Sequence, residues 1–178
     1  MVIIKLTKIE AARRQIEAAI RVLFADDDPI AAHTLAAAGS QIVRDLCEAA
    51  NVAGFQEFKD WIKPEYLKDY WRKYNESASF LKHAERDGSA VYDFKPEETE
   101  YLLLFAVKWY HDLGNAMTPT MVVFLTWFGA CHPDIIAKGA NDLMAEALRQ
   151  AAQHAQYLDR DQRLKTGADL LAKINRGD

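Results

Sequence analysis

Cysteine is scarce in this chain. There are two in 178 residues, Cys47 and Cys131, far apart and in no Cys-x-x-Cys pair. That argues against an exported disulfide scaffold, and two buried, reduced thiols are expected. No run of about 18 apolar residues occurs, so no membrane-spanning helix is expected. The most apolar stretch, Met121 to Cys131, is too short. The first residues, MVIIKLTKIE, lack an apolar signal core followed by a small-residue cleavage site, so a cytoplasmic protein is expected. Glycine and proline number only eight and five, and most fall where helices should start or stop. There is no low-complexity linker and no internal repeat. Positive charge is not in excess either. A net charge of −4 argues against a dedicated nucleic-acid binder, whose affinity comes from clustered Lys and Arg, and leaves room for a local basic patch.

What is present is apolar periodicity. Half of the residues are hydrophobic, enough for a substantial core in a chain with the length of one domain. Ile9, Ala12, Ile16, Ala19, Ile20, Leu23 and Phe24 predict a helix over 7–25, with Thr7 and Glu10 as a capping box. Asp28 followed by Pro29 predicts the start of a second helix, running to about Ala50. Its core face is read as Ala31, Leu35, Ala38, Ile42 and Leu46, and the small residues 36–40 would admit a close neighbour. Gly54 breaks the pattern before a short helix over 55–62, anchored by Phe55, Phe58, Trp61 and Ile62. Pro64 opens a longer helix to about Glu85, striped by Leu67, Tyr70, Trp71, Tyr74, Ala78 and Leu81. A turn at 86–89 and a brief extended segment at 90–94 follow. Further helices are expected from Glu97 to near Gly114, from Pro119 to Cys131, from Asn141 to about Leu158, and over 161–175. The expectation is an all-α up-down bundle of about seven to eight helices, essentially without sheet, forming one domain over 1–178.

Chemistry-bearing patterns are few. The five histidines, His33, His83, His111, His132 and His154, show no pair at helical metal-site spacing, so no metal is expected. His33, His111 and Asp112 remain as candidates for a small-molecule or metal binder within the bundle. Asp26, Asp27 and Asp28 lack the later ligands of a calcium loop and read as a capping turn. No Gly-rich phosphate loop, nucleophile elbow or dinucleotide fingerprint is present, and no cofactor is expected. The dense aromatics Phe55, Phe58, Trp61, Tyr66, Tyr70, Trp71 and Tyr74 are able to stack bases, yet at helical spacing they read first as core or a dimer interface. The segment Asn75 to His83 is the most informative. Lys82 and His83 near a helix end could hold a phosphate, and His83 could serve as general base on a ribose hydroxyl. Two cations there also simply complement the helix dipole.

Two stretches resemble the HEPN superfamily of small helical-bundle domains. One runs from Asp27 to Gly39 and on through Ile42 to Leu46, an acidic turn leading into an Ala-rich helix. The other is Asn75 to His83, followed by Tyr92-Asp93-Phe94 and the helix from Glu97 to Leu113. The likeness covers roughly 5–114, and 115–178 would be additional C-terminal helices. It implies a metal-independent ribonuclease fold that works as a homodimer, with four to six residues between an Arg and a following His. His83 matches that His, Lys82 a frequent neighbour, and Ser79 the polar residue after the Arg. At the Arg positions this chain has Ala78, Ser77 and Glu76. Arg72 lies about three helical turns before His83, out of reach within one continuous helix. Cleavage builds negative charge that Arg meets with planar bidentate donation, and Ala78 offers none.

Three functions follow as expectations. The first is a non-catalytic HEPN-like domain that dimerises or binds a partner, RNA or protein. The second is a ribonuclease with a relocated cation, using His83 as base or phosphate ligand, Lys82 as phosphate contact, and Arg72 and Ser79 as RNA-binding groups. The third is a small-molecule or metal binder within the bundle.

Overall fold

The protein's structure, a computed structural model, describes residues 3–60, 68, 71, 72, 74–133, 152, 153 and 155–176. Among them the regular structure is helical and no strand occurs, so the chain is an all-α, multi-helix bundle. The elements are α1 (Lys8–Phe24), α2 (Pro29–Ala49), α3 (Ala53–Asp60), α4 (Glu76–Phe80), α5 (Ala84–Asp87), α6 (Glu97–Asp112), α7 (Pro119–Cys131) and α8 (Arg160–Arg176). The starts of the helices expected at Pro64 and Asn141, together with Trp61, Ile62, Tyr66, Leu67, Tyr70 and His154, lie outside the described residues. No described helix is long and apolar enough to cross a membrane.

Helix starts follow the local chemistry of the sequence. Thr7 Oγ1 accepts from the Glu10 amide at 3.2 Å, which is half of a capping box. The reciprocal half is not formed, because Glu10 turns outward to Arg14 at 2.8 Å. Asp28 Oδ1 accepts from the amides of Ile30 at 2.8 Å and Ala31 at 3.4 Å, with Pro29 at the first helical position. Thr118 repeats the arrangement before Pro119, accepting from the Met121 amide at 3.4 Å. Replacing Asp28 by Ala is expected to cost about 1 kcal/mol of stability. Urea unfolding measures this, and an unchanged midpoint would show that the cap does nothing.

The apolar face predicted for α1 is the one buried, with Ile16 and Ile20 fully enclosed. Burying each contributes about 2 kcal/mol, more than any single cap. In α2 the predicted face is displaced. Ala31 is exposed, while Leu35, Ala38, Ile42 and Leu46 are only half-buried. The buried set is Ala32, His33, Ala36, Ala37, Gly39, Ser40, Val43 and Cys47, one residue further along and so about 100° around the helix. Small side chains explain the displacement. A Cβ on Gly39 would lie 2.9 Å from Ile16 Cγ1 and 3.3 Å from the Ala12 carbonyl, so α1 approaches α2 along its small residues and not its larger ones.

The remaining helices enclose this pair. α2 and α6 lie side by side and parallel, since His33 meets Thr99 near their starts and the Cys47 thiol reaches the Trp109 carbonyl near their ends at 3.6 Å. Phe55 of α3 sets its ring edge-on to Trp109 at 5.2 Å. Trp127 of α7 donates its ring N–H to the Arg163 carbonyl of α8 at 2.7 Å. Both cysteines are free thiols, and burial pushes each up to about 11. Neither is a thiolate near neutral pH.

Candidate functional site

The single long helix expected over 64–85 is broken where the candidate residues sit. Asn75 turns its side-chain amide onto the Trp71 carbonyl at 2.6 Å, the kind of local bond by which Asn competes with helix. α4 then lasts five residues, and His83 is non-helical at φ −124, ψ 56. The pieces are held by one polar stripe of α2. His33 reaches Ser77 Oγ at 2.7 Å, Ser40 shares a 2.6 Å bond with the Tyr74 hydroxyl, and Arg44 donates to Asn75 Oδ1 at 3.0 Å. The Arg44 guanidinium also lies over the Trp71 ring, 5.0 Å from its centre. His33, Ser40 and Arg44 recur at intervals of seven and four, which is one helical face. That spacing is visible in the sequence, but the polar face is interleaved with the small and apolar residues of α2.

Breaking the helix opens a groove of about 640 Å³ beside α4. Among the described residues, Lys68, Arg72 and Arg86 line it, against the single carboxylate of Glu76. Trp71, Phe80 and Tyr92 supply ring surface, and Phe80 stacks on Tyr92 at 5.4 Å. Ser79 and His83 complete the polar lining, and Arg86 donates to Ser79 Oγ at 3.3 Å. His83 Nδ1 lies 2.9 Å from Glu85 Oε1, whose carboxyl is held below the usual range by a backbone bond and by His83.

The structure therefore brings Arg72, Ser79 and His83 to one groove, although Arg72 and His83 would be about three turns apart on a continuous helix. Arg86 joins them, a residue that sequence reasoning had assigned to a turn. Lys82 is exposed and lies outside the groove lining. Ala78, one of the three positions at which the resemblance would put Arg, packs against the core and is not among the residues lining this groove.

The candidates for a binder within the bundle separate. His33 is 2% exposed and bonded to Thr99 Oγ1 at 3.0 Å and Ser77 Oγ at 2.7 Å, one ring nitrogen donating and the other accepting. Burial, aided by the Lys82 charge, lowers its pKa from 6.5 to about 4. His111 and Asp112 sit at the opposite end of α6, His111 against the Asn115 carbonyl at 3.2 Å and Asp112 paired with Lys108. No group of three metal-ligating side chains occurs among the described residues. Compared with protein-family models, with curated proteins and with solved structures, the chain matches none.

Proposed function

We propose that this chain is a non-catalytic, HEPN-like helical domain that binds single-stranded RNA in the groove beside α4. One observation carries the reading. Three cationic side chains and three aromatic rings line the same open groove, in a chain whose overall charge is negative. Cations track a phosphate backbone, and ring faces stack unpaired bases whatever their identity. Ala78, Ser77 and Glu76, the three positions at which the motif's Arg would fall, supply no cation, which supports binding without cleavage.

Fluorescence anisotropy with a labelled single-stranded RNA tests the proposal. Three phosphate contacts give a slope of about −2 for log affinity against log salt. Reversing charge in Arg72→Glu or Arg86→Glu is expected to weaken binding about tenfold and to flatten that slope. Binding that ignores salt and both substitutions would sink the reading.

A ribonuclease reading has one observation in its favour. The Glu85 carboxylate accepts from His83 Nδ1–H, which leaves the lone pair on Nε2, the tautomer a general base on a ribose hydroxyl needs. RNA cut by the parent protein but not by His83→Ala would favour it over simple binding.

A further inference from the structure

On the other side of α4 lies a second, smaller cavity of about 230 Å³, between α2, α4 and α6. We propose that it is a binding site for a methylated ammonium group, held against the rings of Tyr74, Tyr101 and Phe105 and by the carboxylate of Glu98.

The lining selects charge and size. Three aromatic side chains and Leu102 make most of the wall, and ring faces carry the negative end of their quadrupole. Glu98 is half-buried and makes no ion pair among the described residues. Its Oε2 accepts one bond, from the Tyr92 hydroxyl at 3.3 Å. Its place in the first turn of α6 suits the helix dipole, but the dipole does not account for three rings lining the same cavity as this carboxylate. Among the described residues no cationic side chain lines the cavity, and burial keeps His33 neutral above about pH 4.

The same lining disfavours a bare ammonium. Such a group is strongly hydrated and needs several acceptors in exchange for its water. His33 and Ser77 are already bonded to each other, leaving few. Methyl groups remove that demand and fill an apolar wall while the charge remains. The volume lies below the roughly 300–1,000 Å³ of sites for larger ligands, which fits a head group and not a long molecule. Tyr101 is 39% exposed, so the cavity opens to solvent at its rim. The residues lining this cavity and those lining the groove are separate sets, linked by the bond from Tyr92 of the groove to Glu98, and choline binding is measured without RNA, so this site is tested apart from RNA binding.

The test uses the full chain, with choline and tetramethylammonium as probes and the neutral carbon analogue of choline as control. Isothermal titration should show saturable binding of both cations and about tenfold weaker binding of the neutral analogue. Tyr101→Leu and Glu98→Gln, checked for unchanged helical circular dichroism, should each weaken choline about five- to tenfold. Equal binding of the neutral analogue, or no saturable binding of either cation, overturns the proposal on the unaltered protein. Choline binding that persists undiminished in both folded variants overturns it as well.

Discussion

Lowering the pH from 7 to 4 is expected to remove about 3 kcal/mol of stability through one side chain, His33. The imidazole is 2% exposed, and desolvation first, then the nearby Lys82 charge, lowers its pKa from 6.5 to about 4. Between those values the unfolded chain takes up a proton that the folded chain refuses, so stability falls as pH falls. Above 6.5 the contribution is intact, and below about 4 both states are protonated and the loss levels off. The hydrogen bonds are not what is lost, because the Ser77 and Thr99 hydroxyls can accept from a fully protonated ring. The cost is a charge out of water beside another of the same sign. Carboxylates titrate over the same range, so the decisive comparison is with His33→Gln, whose amide can meet both hydroxyls without titrating. Urea unfolding at pH 7 and 4.5 should show a smaller acid loss in the variant, by about 2 kcal/mol or more. An equal loss in both proteins, or an NMR titration placing His33 near 6.5, would refute the account.

That histidine also marks where sequence reading stops. Helix starts were legible because each depends on residues within one turn, as at Asp28 and Thr118. So was the C-terminal stop of α6, where Gly114 adopts φ +85. The buried face of α2 was not, because apolar size pointed to Leu35 and Ile42 while the close approach of α1 selects Ala36, Gly39 and Ser40. The helix expected to run through residue 85 fails at Asn75, where side-chain bonds from α2 take over, and again before His83. Those bonds span 31 to 44 positions, a separation that no local pattern reports. For the same reason Arg72, Ser79 and His83 were each singled out from the sequence, while their meeting with Lys68 and Arg86 depends on the break itself.

The seam between α8 and α1 sets two terms of opposite sign against each other at Gly167. Alanine in a helix interior is favoured over glycine by about 1 kcal/mol. A Cβ there, however, would stand 2.3 Å from Phe24 Cε1 and 2.5 Å from Cδ1, far inside contact distance. The ring has little room to yield. Phe24 is 3% exposed, edge-on to Trp127 at 5.2 Å and against Phe124 at 6.5 Å. Nor does α8 shift freely, because the Trp127 ring N–H is bonded to the Arg163 carbonyl one turn before the glycine. Overpacking of a fixed core costs typically about 1–3 kcal/mol, and this approach is closer than most, so it outweighs the helix term. Gly167→Ala is therefore expected to lose about 2 kcal/mol net, and Gly167→Leu more, with faster amide exchange along α8. Phe24→Leu supplies the control. In its background the Gly167→Ala penalty should shrink by about 1–2 kcal/mol, the signature of two side chains competing for one space. If Gly167→Ala instead raises the urea midpoint, propensity has won and α8 does not press on Phe24 as closely as described.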